Sequence, residues 1–313
     1  MVFEKLRSWP TPFEEVVVEI PEGGAAGHGD HWSVFTDDPP DFFKDIPSML
    51  GEAKPVSTYA DIRIARPYPL PETEPKGALL VWPIPRFGAI MAIELDAPTG
   101  EDRFAAMYPW MSEGVVHTVR LVRVNLWPNR LEAQIQGLVG SAAKMPITFF
   151  DPLFAANRAF YRKGEDYQIV MVGFPYHFEI SESKPIVIDD PSKVLSPRNT
   201  MHVDEPCLTD SEAPVVFDTR GLAVLFPRDD IAADAYEFRG PVKSVTELHT
   251  HMLGQRAWRV RAVVARLGDD DFDLDLCLTA KVLGEGKLPE IGDDVRGVLW
   301  LQGHLWMPGP GTV

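Results

Sequence analysis

Gly292–Trp306, GDDVRGVLWLQGHLW, is the stretch on which the fold turns. A Gly-Asp-Asp turn opens it, and alternation follows. Leu299, Leu301 and Leu305 fall on one side; Val298, Trp300, Gln302, His304 and Trp306 fall on the other, because successive side chains of a strand point to opposite faces. One face is aliphatic and the other aromatic and amphipathic, so the strand is expected between two layers rather than at a wet edge. Much of the remaining chain reads as elements surrounding this strand or an earlier copy of it.

Working backwards, a short helical or turn segment at Ala280–Gly284 follows a hairpin. In that hairpin Trp258, Val260, Ala262 and Val264 alternate with Arg259, Arg261, Val263 and Ala265, and Phe272, Leu274, Leu276 and Leu278 alternate with Asp273, Asp275, Cys277 and Thr279. A loop of Leu267 to Asp271 is expected to pair Val264 with Leu274, with Arg259 and Arg261 near Asp275 and Cys277 on the opposite face. An earlier segment has the same order. A strand from Val115 to Trp127 turns on Pro128-Asn129, which suit a tight turn, and returns as Arg130–Val139. Pro146–Phe150 is a further strand. A short helix follows, with Asp151 as N-cap, Pro152 as first residue and Gly164 as its end, before the strand Gln168–Phe174. Gly164-Glu165-Asp166 matches Gly292-Asp293-Asp294, which suggests an internal repeat of roughly 65–70 residues.

A small β unit with a helix before its fourth strand resembles the OB-fold, a five-stranded partly open barrel, and an SH3-like barrel or an antiparallel sandwich fits nearly as well. The fold class expected is therefore mostly β: two small OB-like or SH3-like β-barrel modules at 115–180 and 236–306, and one short well-capped helix. The rest is an irregular β-rich N-terminal region, 1–114, an acidic linker with strand fragments, 181–235, and a tail, 307–313. The N-terminal region offers strands at Val16–Ile20, Ala78–Trp82, Ala89–Leu95 and Arg103–Pro109, and a weak helix at Asp41–Leu50 that Pro47 should shorten. The linker offers Pro185–Ile188 and Leu222–Phe226.

Composition agrees. Gly (24) and Pro (29) are plentiful in the 313 residues, which favours turns and short strands over long helices. The formal charge of −16 repels nucleic acid and anionic membranes at long range. That charge is uneven: residues 115–178 carry seven Lys/Arg against four Asp/Glu, and 236–306 nine against eleven, so the acid sits in the connecting material. Two cysteines, Cys207 and Cys277, make no disulfide framework. The N-terminus lacks the apolar run of a signal peptide, and no stretch reaches the roughly 20 apolar residues of a spanning helix. A cytoplasmic protein that does not enter membranes is expected.

No motif dictates a chemistry. His249 and His251 would share a strand face, but a metal site needs a third ligand, and only His304 offers one through space. His28, Asp30 and His31 lie in GGAAGHGDH, whose glycines read as a flexible surface loop; no Gly-Lys-Ser/Thr follows to make a phosphate loop. Asp269, Asp270, Asp271, Asp273 and Asp275 lack the spacing of a calcium loop and read as a solvated turn with cross-strand ion pairs. A nucleophile elbow is absent, since Ser141 follows Gly140 but Ala143 stands where the second glycine belongs.

The leading expectation is a non-catalytic binding or scaffold protein with an unknown protein partner, and no cofactor, metal or catalytic residue is assigned. The residues proposed for binding are Trp258, Arg259, Arg261, Trp300, His304, Trp306, Arg158 and Arg162, though the aromatic face of the last strand is expected first of all to pack against the N-terminal layer or the other repeat. Aromatics among arginines on an OB-like surface suit single-stranded nucleic acid, an alternative that the net charge disfavours. The other alternative is an enzyme whose site is assembled from distant carboxylates and histidines.

Overall fold

The computed structural model describes residues 15–17, 28, 30–56, 74–95, 100–141, 143–182, 184–188 and 215–305, which form a mostly β protein with a few short helices. In chain order the strands are β1 Glu15–Val17, β2 Lys54–Pro55, β3 Lys76–Ile84, β4 Phe87–Leu95, β5 Arg103–Met111, β6 Val115–Leu126, β7 Ala133–Val139 and β8 Met145–Phe150. They continue as β9 Asp166–Ile180, β10 Ile186–Ile188, β11 Val215–Phe217, β12 Val224–Pro227, β13 Ala235–Met252, β14 Gln255–Leu267, β15 Asp270–Thr279 and β16 Asp294–Leu305. The helices are α1 Pro39–Phe43, α2 Ile46–Glu52, α3 Phe154–Asn157 and α4 Ala280–Leu283. Cys207, Trp306 and the tail 307–313 lie outside the described residues. No helix among the described residues is long and apolar enough to cross a membrane.

Strands β2 to β5 make a four-stranded antiparallel sheet, and β10 pairs with β11. The other ten form one sheet in the order β1-β6-β7-β8-β16-β9-β15-β14-β13-β12, with further pairings β6–β9 and β16–β13. These further pairings close two circuits, β6-β7-β8-β16-β9 and β9-β15-β14-β13-β16, so β9 and β16 belong to both. Each circuit takes four strands from one segment and its fifth from the other. Neither 115–180 nor 236–306 closes by itself, which corrects the expectation of two separate OB-like or SH3-like modules. The reason lies in two parallel contacts, β8 with β16 at Phe150↔Gln302 and β15 with β9 at Leu276↔Gly173. Parallel neighbours cannot be joined by a hairpin turn, so each is recruited from across the molecule.

The two segments share one pairing pattern. β6 pairs with β7 and β9 and has an irregularity between Leu121 and Arg123; β13 pairs with β14 and β16 and has one between Val242 and Ser244. Leu121 N–H donates to the Glu165 carbonyl while its own carbonyl accepts from Gly164; Val242 does the same with Asp293 and Gly292. Gly164 and Gly292 have φ of 82° and 92°, a conformation glycine adopts without steric cost. Where β9 and β16 run antiparallel, Phe174↔Trp300 and Val172↔Gln302 flank Gly173↔Leu301.

Strand β16 does lie between two layers. Leu299, Leu301 and Leu305 are buried with Val124, Ile135, Val260, Leu274 and Leu276 of the circuits. Trp300, on its other face, belongs to a second cluster with Phe150, Phe174 and Cys277 and with Trp32, Phe35 and Tyr108 from the N-terminal third. The β14–β15 register differs from expectation by two residues: Ala262, not Val264, faces Leu274, and Val260 faces Leu276. A bulge between Val263 and Ala265 and a tighter turn, Leu267↔Asp270 over Gly268-Asp269, cause the shift. A slip of two keeps every side chain on its expected face. The expected helix at Asp41–Leu50 is two helices. Asp38 caps α1 by accepting from the Asp41 N–H (3.0 Å), and Pro47 sits in the first turn of α2, where its missing N–H costs nothing. Asp151 accepts from the Leu153 N–H at 2.8 Å, but α3 is a single turn that tightens into a 3₁₀ turn at Arg158–Phe160.

Gly297 of β16 passes directly over the carbonyl of His177, so a Cβ there would overlap backbone. Gly297→Ala is expected to cost about 1–3 kcal/mol or more in urea unfolding. An unchanged midpoint would show that the strands can separate at this point.

Candidate functional site

The binding residues chosen from sequence do not meet on one surface. Trp258, Trp300, His304 and Arg158 are buried, and so present no face to a partner. The Arg256 guanidinium lies over the Trp258 ring, and His304 packs on Trp110 with centroids 4.8 Å apart. Arg259 is paired with Glu113, and Arg261 grips the buried Asp275 through two bonds of 2.8 and 2.9 Å. Arg158 binds Glu74 and the Arg130 carbonyl, while Arg162 donates to the carbonyls of Ala159 and Tyr161. Trp258, Trp300 and His304 lie inward because both faces of their strands are packed, while Arg259, Arg261 and Arg162 are half-buried in these pairings. Of the acidic cluster, Asp271 and Asp273 pair with Lys243. His249 is exposed. Among the described residues no three His, Cys, Asp or Glu are placed to hold a metal.

A different group converges. The glycine-flanked residues read as a surface loop instead enter the protein: the 3₁₀ turn Asp30–Val34 buries His31, and His28 just before it is 3% exposed. The apolar run Trp32, Val34, Phe35, all buried, anchors this turn in the second cluster. From the β6–β7 connection come Trp127 and the buried Glu132, and from β7 comes Gln134. From the turn before β13 comes Asp234, which is 2% exposed. Tyr176 of β9 and Trp300 of β16 complete the set.

The geometry is close. His31 stacks on Trp300 with centroids 3.7 Å apart and planes 2° from parallel, and its Nδ1 lies 2.6 Å from the Tyr176 hydroxyl. Trp300 donates its indole N–H to Asp234 at 3.0 Å, and Gln134 also bonds that carboxyl. His28 stacks on Trp127 at 4.6 Å and lies 5.4 Å from the His31 ring. Its Nε2 is 2.8 Å from Glu132 Oε1, but off the hydrogen-bonding axis: both His28 nitrogens and Glu132 Oε1 are buried without a hydrogen-bond partner among the described residues. Such atoms are few in native proteins, and each calls for an explanation such as a bound water, an ion or a catalytic role. A cavity of about 460 Å³ adjoins these groups, with His31, Asp234, Gln134, Trp127 and Tyr176 in its walls and Asp30, Ser33, Arg228 and Ile231 toward solvent. That volume suits a small organic molecule.

Burial sets the titration of the walls. It pulls His31 well below the usual imidazole value, and the neighbouring His28 adds to the effect. It raises the Asp234 carboxyl, against the opposing hydrogen bonds of Trp300 and Gln134 and the field of His28. Tyr176 is pushed up by burial and then by the charges of Asp234 and Asp30. Behind Phe150, which packs on His28, the buried Asp151 carboxyl is raised to about 7 by desolvation although Tyr161, Leu153 and Asn157 all donate to it. On either side of Trp300 the cavity thus holds an uncharged imidazole and a carboxyl that keeps its proton more firmly than in water, a base and an acid.

Sequence reasoning noticed His28, Asp30 and His31 but not the burial of the two histidines, for which HWSVF was the available signal. Nothing in the sequence marked Asp234 or Glu132, since each stands in a polar turn like many others. Searches against protein-family models, curated proteins and solved structures find no match to this chain.

Proposed function

We propose that the cavity binds a small organic molecule and that His31 and Asp234 act on it as general base and acid, with the His28–Glu132 pair buried behind them. The observation that supports this is that His31 and Asp234, from two distant segments, line one cavity, with His28 and Glu132 buried behind its Trp127 wall and carrying atoms that have no hydrogen-bond partner among the described residues. Asp234 is the proton donor in this reading, oriented by Trp300 and Gln134. His31, stacked and fixed by Tyr176, is the acceptor. The enzyme reading thus takes precedence over the scaffold one, whose aromatic strand face is covered. It also takes precedence over nucleic-acid binding, of whose arginines Arg158, Arg259 and Arg261 are paired with carboxylates.

The shared pairing of the two segments supports an internal repeat. By register, Gln134 and Asp234 then correspond to Arg259 and Glu113: the same two positions hold an amide–carboxyl pair at the cavity and an ion pair at the other end. A second reading, contact with a protein partner, is favoured by the exposed Val187, Val216, Phe217 and Phe226. It predicts that Phe217→Ser and Phe226→Ser abolish capture of that partner.

The test of the small-molecule reading is a thermal-shift screen against a metabolite panel, repeated on His31→Ala and Asp234→Asn, with near-UV circular dichroism as a check on folding. Ligands that stabilise the native protein and lose their effect in folded variants are expected. Ligands indifferent to both substitutions would place binding elsewhere.

A further inference from the structure

Resting on that small-molecule reading, we infer that the cavity selects a small organic cation, an amine or quaternary ammonium group, seated against Trp127 and Tyr176 and balanced by Asp30 and Asp234. Aromatic faces attract cations through their quadrupole, and do so most strongly where water is displaced. Both rings stand in the cavity wall, Tyr176 held by His31 and Trp127 by His28.

The charges around the cavity point the same way. Asp30 stands on the solvent side and Asp234 on the buried side. Both act electrostatically on Tyr176, which places their fields in the same space. Among the described residues the one cationic side chain in the wall, Arg228, is held by Asp230 through two bonds of 2.7 Å and has Glu237 at 3.9 Å. It is therefore neutralised where it stands. His31 brings no positive charge, because burial keeps it deprotonated. Behind it Glu132 adds a further buried carboxylate beside His28. Among the described residues an anionic ligand would find no unpaired cation in the wall, whereas a cation would meet two ring faces, the exposed Asp30, and Asp234, whose buried carboxyl the approaching positive charge would drive to release its proton. The overall charge of −16 also concentrates small cations near the protein.

The experiment is isothermal titration of the full chain with choline and phenethylamine, with 3,3-dimethylbutan-1-ol as the uncharged counterpart of choline and with phenylacetate as an anion. The cations are expected to bind about tenfold or more tightly than the neutral compound, with affinity falling as salt rises, and phenylacetate is expected not to bind. Asp234→Asn should weaken cation binding at least several-fold. Because that residue is buried, the exposed Asp30→Asn, which should fold normally, provides the independent check and should weaken it in the same direction. If the neutral compound or the anion binds at the His31-dependent site as well as the cations do, the charge class is wrong while the pocket stands. Cation affinity unaltered in both aspartate variants also overturns it. If neither these probes nor the metabolite panel binds, the small-molecule reading falls together with this one.

Discussion

Trp300→Ala is expected to destabilise the protein by about 3–5 kcal/mol, the range for removing a fully buried aromatic side chain, and to abolish ligand binding in whatever fraction remains folded. Trp300 is fully buried and touches both halves of the problem. Its ring packs against Phe150 and Phe174 and carries the stacked His31, while its indole N–H is a donor to Asp234. Truncation would open a cavity between the layers and leave a buried carboxyl short of a partner. Trp300→Phe separates the two effects. It keeps an aromatic ring in the core while removing the N–H and part of the indole's volume, so a smaller loss of about 1–3 kcal/mol is expected, with a larger proportional loss in binding. Urea unfolding of the two variants measures this. Equal stability of Trp300→Ala and the native protein would mean that the N-terminal layer does not depend on this contact.

The second large effect is one of pH. The Asp151 carboxyl, ordinarily near 3.8, is pushed up to about 7 by burial. Between those values the folded protein keeps a proton that the unfolded chain has released. The stability associated with this group is therefore complete below the ordinary value and is lost as pH rises through about 7, a change of up to about 4 kcal/mol. Asp151→Asn retains an acceptor for the Leu153 N–H but cannot ionise. Unfolding measured from pH 4 to 8 should show the native protein losing stability relative to this variant as pH rises. Parallel curves would show that Asp151 ionises in the folded state much as it does in water. Because Phe150 beside it packs on His28, ligand affinity is expected to follow the same pH profile in the native protein and to flatten in the variant.

The strands were legible because their signal is local. Alternation along Gly292–Trp306 identified an aliphatic and an aromatic face and a position between layers, and the structure places Leu301 and Trp300 in two different clusters. The Gly-acid-acid marks at Gly164 and Gly292 each precede a strand and make the same pair of backbone hydrogen bonds. The β14–β15 hairpin was assigned to the correct faces but the wrong register. Period-two alternation cannot distinguish a shift of two residues, and the bulge after Val263 leaves no compositional trace.

By itself, then, the sequence determined a mostly β chain, the two faces of its last strand and the pairing partners within each hairpin. All of these depend on neighbours a few residues apart. The tertiary structure alone decided which strands cross between segments, since the parallel contacts Phe150↔Gln302 and Leu276↔Gly173 join residues far apart in sequence. It also decided the site. His28, Glu132 and Asp234 are unremarkable in three separate polar turns, and become chemically distinctive only when folding removes water from all three at once. Burial raises Asp234, keeps His31 uncharged and leaves His28 facing Glu132; desolvation of this kind is a property of the assembled interior and has no counterpart in the order of residues along the chain.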